Sequence, residues 1–313
     1  STLRQLTPAI AAADVHLFDP VDPARGLDQG VAINYFLKAP AQRVVLDILD
    51  ARGQVLRSFN NDTTGAGAAR AAAGGDDDDE GGGRAGGPAR TSNRVGVNRF
   101  VWDTRHTGPT TFPNMILWAA GSNGPRALPG DYSVRLRVDG RAPATQSFSL
   151  RPDPRSSATM ADLQAQFELA IQVRDRTSAA NEAVIRIRDV KAQIDDRVKK
   201  ASSNMKLPDA AQQLKDKLSR VEEELYQVRN QSNQDPLNYP IKLNNKLAAL
   251  LGAVEGVDGR PTAQSHEVMR ELSARLDQQL NWLNTIFTVD VPRFNTEWLR
   301  GTEPIRVPGR PVS

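Results

Sequence analysis

The chain has 313 residues, more than one typical domain, and carries 40 Lys and Arg against 37 Asp and Glu, a formal excess of only +3. It contains no cysteine, which excludes disulfides, thiolate catalysis and Cys-ligated zinc or iron–sulfur centres, and its Lys and Arg are scattered rather than gathered into a nucleic-acid-binding patch. Aromatics are 5% of the residues and mean hydropathy is −0.48, and no apolar run approaches the length of about 18 residues that would mark a transmembrane segment.

Residues 1–23 hold apolar Val15, Leu17 and Phe18 among prolines and read as an extended connector that needs a surface to cover. Residues 1–16 lack a basic stretch followed by an apolar core, so they are not a signal peptide. The chain is then either cytosolic or the later part of a polypeptide whose signal lies upstream. Residues 30–40 and 42–59 predict strands, the second stretch folding as a hairpin about Ala51-Arg52-Gly53. Within it Val44, Leu46 and Ile48 form one wholly apolar register that should face a core.

Residues 62–92 are almost all Gly, Ala, Arg and Asp, and they predict a disordered insertion between strands. Strand character resumes with Phe100 and Trp102, and residues 115–122, 130–140 and 145–154 predict further strands. In residues 126–142 a Pro129-Gly130 turn precedes Tyr132, Val134, Leu136 and Val138 on one face, with Ser133, Arg135, Arg137 and Asp139 facing water. Short strands with turns between them and no helix predict an Ig-like antiparallel β-sandwich over residues 24–152.

After residue 152 the apolar period changes from two to about 3.6. Thr159 and Asp162 form a capping pair, and Leu163, Phe167, Ala170, Val184, Ile187, Ile194 and Val198 keep one face apolar along a helix on the order of 60 Å. A second helix opens at Leu207-Pro208-Asp209 and uses Leu214, Leu218, Val221, Leu225 and Val228. A third begins at Pro240 and runs through Leu243, Leu247, Leu250 and Val254. A fourth follows Pro261-Thr262 with Met269, Leu272, Leu276, Leu280, Leu283 and Phe287. The fold class is therefore α+β and multidomain, with an antiparallel four-helix bundle over residues 153–288 and an extended Pro-rich tail over 289–313 that carries Phe294 and Trp298.

Chemistry is sparse. His16, His106 and His266 each lack a second ligand at metal spacing, and His266-Glu267 lacks the second His of a zinc-protease helix. The run Asp76 to Glu80 has no interleaved turn residues of a calcium loop, and the glycines beside it lack the Lys-Ser/Thr of a phosphate loop. Asp103, Arg105 and His106 are the nearest approach to a catalytic cluster, with Asp103 and Arg105 placed to pair with each other. Glu222-Glu223-Glu224 reads as a solvated helix face. No catalytic, cofactor or metal residue is assigned, and no cofactor is called for.

The stretches 98–108, 115–140 and 146–155 resemble the region that follows the β-propeller in bacterial sortilin-like proteins with BNR (Asp-box) repeats, often labelled glycosyl hydrolases. The similarity extends to residues 3–18 at the start and to the helix at 181–190. The Pro129-Gly130-Asp131-Tyr132 strand alone is also similar to the Ig-like domain of flagellar hook-capping proteins. The first resemblance implies an exported, extracytoplasmic setting and a propeller upstream of Ser1, in the same polypeptide or as a separate chain, since no Asp-box occurs in these residues. It carries over no catalytic residue. The expected role is non-catalytic, to pack against, orient or oligomerise the propeller, with Val15, Leu17, Phe18, Trp118, Phe294 and Trp298 as candidate interface. The alternative is an accessory carbohydrate site on Asp103, Arg105 and Trp118, and a third reading is a bundle that self-associates as a homo-oligomer. Nucleic acid is not among the expected partners.

Overall fold

The computed structural model describes residues 5, 7–26, 30–62, 89–200 and 206–309. The chain divides into two compact units: one of residues 1–107, 123–167 and 258–260, the other of residues 108–122, 168–257 and 261–313. Among the described residues the first unit carries seven antiparallel strands in two sheets, and the second is helical, so the chain is α+β.

In the sheet unit, β1 (Val15–Leu17), β2 (Val31–Leu37) and β5 (Gly96–Trp102) form one sheet in the order β1-β2-β5. The other has the order β4-β3-β6-β7, with β3 at Val44–Asp50, β4 at Val55–Asn60, β6 at Gly130–Val138 and β7 at Ala144–Leu150. Ile33, Tyr35 and Phe100 from the first sheet share one core with Leu46, Ile48 and Val134 from the second, making a β-sandwich. Alternation explains β2, whose odd-numbered residues are buried and even-numbered ones are not. Trp102, fully buried, packs edge-on to Phe148 at 6.1 Å and donates its indole N–H to the Arg105 carbonyl at 2.9 Å. Tyr132, at the start of β6, donates its hydroxyl to the Leu128 carbonyl at 2.7 Å.

Gly30 precedes β2 at φ +136°, and a Cβ there would lie 2.1 Å from the Trp102 carbonyl oxygen, so both conformation and space require glycine. The Ala51-Arg52-Gly53 hairpin forms as expected, with the Asp50 carboxylate accepting the N–H groups of Arg52 and Gln54 at 2.9 and 2.8 Å.

The N-terminal stretch is not wholly extended. Thr7 caps a short helix, α1 (Pro8–Ala12), and β1 then joins the sheet, because Pro8 suits a first helical turn and Val15 and Leu17 suit an edge strand. Most of the Gly/Asp-rich insertion, residues 63–88 with Asp76 to Glu80, lies outside the described residues. Its far end is tied down: Thr91 is buried, takes the Asn60 carbonyl with its N–H, and donates its hydroxyl to the Val44 carbonyl at 2.8 Å.

Helix α2 (Met160–Lys200) starts at the expected box, where Thr159 Oγ1 accepts the Asp162 N–H and Asp162 accepts the Thr159 N–H. It is followed by α3 (Leu207–Leu225), α4 (Leu243–Val254) and α5 (Ala263–Thr285). Their apolar stripes, with Ile187, Leu218, Leu247 and Leu276 fully buried, converge on one core. Helix α4 begins at Leu243 rather than Pro240, and α3 stops before Val228, which is exposed.

Residues 289–298 are helical where the sequence suggested an extended tail. A π-helical turn (Ile286–Asp290) joins α5 to α6 (Val291–Trp298). Pro292 explains the widened turn: it has no N–H for the carbonyl four residues back and its ring crowds that carbonyl, so the turn opens and Val291 N–H reaches Ile286 O instead. Beyond Leu299 the chain leaves the helix, as the prolines demand.

Residues 115–122, expected as a sandwich strand, form no strand and belong with residues 108–122 to the helical unit. Phe112 is buried in the helical core, its ring edge-on to Tyr226 at 5.0 Å, and the Ile116 N–H meets the Tyr226 hydroxyl at 3.1 Å. Pro109 and Pro113 remove two ladder donors, so side chains rather than a neighbouring strand satisfy this segment.

Candidate interaction surface

The polar residues singled out from the sequence are engaged in local structure. Arg57 Nη1 donates to both carboxylate oxygens of Asp103, at 2.9 and 3.0 Å, and Asp103 also accepts the backbone N–H of Arg105. The expected Asp103–Arg105 side-chain pair is therefore replaced by Arg57 from β4, because the Arg105 guanidinium turns to the Gly124 carbonyl at 2.7 Å. His106 packs its ring 4.9 Å from Phe167, and His16 stands edge-on to Phe18 at 4.8 Å. Trp118 lies in the other unit from Asp103 and Arg105. Among the described residues no group of three or more His, Asp or Glu is arranged to hold a metal ion.

Glu222 departs from the solvated face expected of it. It is buried and accepts from Arg188 Nε and Lys191 Nζ, both at 2.7 Å, while Glu223 and Glu224 remain exposed. Arg188 also lies over the Phe112 and Tyr226 rings, at 4.7 and 5.3 Å. In the sheet unit Asp47 plays the matching part. Although its backbone register belongs to the outer face of β3, it is 1% exposed and accepts from Ser58 Oγ at 2.7 Å, twice from Arg135 at 2.9 and 3.1 Å, and from Arg137 at 3.1 Å. Burial pushes the Asp47 pKa up, but these hydrogen bonds outweigh it and hold the carboxyl below its ordinary value. Arg135 and Arg137 stay on the outer face that the sequence assigned to water, 34% and 50% exposed, and it is Asp47 that departs, being covered there by the two arginines.

Three side-chain amides that the sequence reading passed over organise the helical unit. Asn245 accepts the Trp118 N–H at 2.7 Å and donates to the Trp118 carbonyl at 2.9 Å. Asn295 does the same for Ile305, at 2.8 and 2.9 Å, and Gln193 for Arg306, both bonds at 2.8 Å. Each amide imitates a neighbouring strand for one residue of a non-helical segment, so backbone without a ladder stays satisfied. No periodic signal marks such residues, since an Asn beside a helical stripe looks like any polar position.

The six candidate interface residues divide accordingly. Leu17, Phe18 and Phe294 are buried, Val15 and Trp298 are half-buried, and Trp118 is 38% exposed. Their own unit covers most of what the sequence suggested a partner would cover. Phe294 and Trp298 line one side of a cavity of about 460 Å³ between α3 and α6, where Lys217 and Arg293 both pair with Asp290, at 2.8 and 2.9 Å.

Among the described residues several large apolar side chains are exposed, Val257, Val21 and Leu237 most of all, and one sequence-local group of them lies at β5. Val97 and Val101 are 52% and 39% exposed on the strand that ends the three-stranded sheet, and Val95, just before it, is 59% exposed. Inward, the same strand buries Asn98, Phe100 and Trp102. A strand at the end of a sheet presents backbone N–H and C=O groups that another strand can pair with.

No family model matches the chain, and no curated protein does. Among solved structures it is similar to the crystal structure of CopC from Methylosinus trichosporium OB3b. The identity is 12%, over 45% of this chain and 98% of that one, with a TM-score of 0.22, too low to argue a shared fold.

Proposed function

We propose that this chain is a non-catalytic interaction region, an Ig-like sandwich followed by an antiparallel four-helix bundle, that packs against, orients or oligomerises a β-propeller of an exported bacterial protein of the sortilin-like, Asp-box type. The observation that carries the interaction reading is the exposed valine edge of β5 beside a closed core. Two features support the Ig-like part: the strand order β1-β2-β5 and β4-β3-β6-β7, and the Tyr132 hydroxyl bonded to the backbone four residues upstream at the start of the sixth strand. The long amphipathic helices α2 to α5 with a common core support the bundle. The propeller and the extracytoplasmic setting rest on the resemblance of residues 98–108, 115–140 and 146–155.

The carbohydrate alternative on Asp103, Arg105 and Trp118 has no observation in its favour, since Asp103 and Arg105 are committed to Arg57 and Gly124. The test is to read the coding sequence upstream of Ser1 and to express the propeller encoded there separately. Co-elution of that propeller with this chain is the expected result. Absence of Asp-boxes upstream, or a folded propeller that does not associate, overturns the proposal.

A further inference from the structure

The backbone of β5 can be oriented from its neighbours. Phe18 donates its N–H to the Asn34 carbonyl at 3.0 Å and Lys38 to Asp14 at 2.9 Å, so the even-numbered residues of β2 turn their backbone groups toward β1. The odd-numbered residues Ile33, Tyr35 and Leu37 then bond to β5, where they stand opposite Phe100, Asn98 and Gly96. It follows that Val97, Arg99 and Val101 hold their N–H and C=O groups outward, along an edge that no strand among the described residues covers. Their side chains are also the exposed ones, so backbone and side chains present one continuous surface. The register with β2 runs unbroken from Gly96 to Trp102, without bulge or proline to blunt the edge.

Charge selects what can lie there. From Ala89 to Trp102 the chain has Arg90, Arg94 and Arg99 and no acidic residue. All three arginines are exposed, and none has a carboxylate partner among the described residues. A second copy paired edge to edge would bring these cations against their own images, whereas an acidic strand would neutralise them. We propose that the free edge of β5 is a docking strand that takes an extended acidic segment of a protein partner by strand addition. In an antiparallel pairing the partner places an acid opposite Arg99 and, two positions to either side, apolar residues opposite Val97 and Val101. The recognised pattern is apolar-x-acid-x-apolar, with backbone hydrogen bonds supplying the register. The inference rests on the interaction reading but not on the propeller, because the acidic segment can belong to any partner.

The experiment adds two synthetic peptides to the full chain, one with the core Val-Thr-Glu-Thr-Val and one with Val-Thr-Lys-Thr-Val, and follows amide hydrogen exchange. The expected result is slower exchange at Val97, Arg99 and Val101 with the Glu peptide, unchanged exchange at Asn98 and Phe100, and binding about fivefold tighter than that of the Lys peptide. Arg99→Glu, a change at an exposed position, should invert the preference with the far-UV spectrum unaltered. Three results would overturn the proposal: no slowing at these amides with millimolar peptide, equal slowing by both peptides, or a concentration-dependent dimer that protects the same amides without peptide. A propeller that fails to associate while the Glu peptide binds would sink only the propeller reading; the reverse would sink only this one.

Discussion

Replacing Asp47 with Ala removes the carboxylate that ties β3 to β4 through Ser58 and to β6 through Arg135 and Arg137. Stripping one partner from a fully buried ion cluster costs about 3–5 kcal/mol. Here the two arginine side chains keep 34% and 50% of their exposure and can regain water. The expected loss is therefore smaller, about 2 kcal/mol, made up of the lost charged hydrogen bonds and of hydroxyl and guanidinium groups left without their acceptor. Asp47→Asn keeps the volume and an acceptor for Ser58, so it should lose about half as much.

Urea unfolding would be followed by the fluorescence of Trp102, with Trp118, Trp282 and Trp298 changed to Phe so that the signal reports the sheet unit. The pH dependence gives an independent check. Because folding lowers the Asp47 pKa, its stabilisation is present above the ordinary value of 3.8 and is lost as pH falls through the folded value. Wild type and Asp47→Ala should then converge in stability under acid and separate toward neutrality. A loss below about 0.5 kcal/mol at neutral pH, or a gap that does not narrow in acid, would refute the view that this cluster stabilises the sheet.

Asn245→Ala should destabilise the helical unit by about 1–3 kcal/mol, since it strips both backbone partners from Trp118; faster amide exchange at Trp118 is the measurement. Ile305 is 3% exposed, and Ile305→Ala should cost about 2–4 kcal/mol and hasten protease cleavage after Gly301 while the helices keep their circular dichroism. Burial pushes the Tyr35 and Tyr132 hydroxyls up to about 12 from 10.0, so both should stay protonated past the ordinary tyrosine range in a spectrophotometric titration. Folding favours the neutral form of each, so their contribution is intact below 10.0 and is lost as pH rises toward about 12.

Particular elements show why some of this was legible in advance. The 41-residue helix from Met160 followed from a proline-free apolar stripe and a capping pair, both local signals. The Asp50–Gly53 hairpin and the buried face of β6 followed from turn chemistry and alternation. Residues 115–122 misled because a short apolar run has no period to tell a strand from a segment packed on helices. The tail misled because Pro292 reads as a helix terminator, although a π-helical turn can absorb it.

The sequence by itself determined the elements whose cause lies within a few residues: the strands with period two, the capped amphipathic helices, and the change of period between them. Tertiary structure decided whatever needed a partner distant along the chain. It chose Arg57 for Asp103 across 46 positions, brought Arg135 and Arg137 to Asp47 across 88 and 90, and set Asn245 on Trp118 across 127. Among the described residues it also left β5 at the end of its sheet, which no local pattern records, because an edge is defined by the strand that is not beside it.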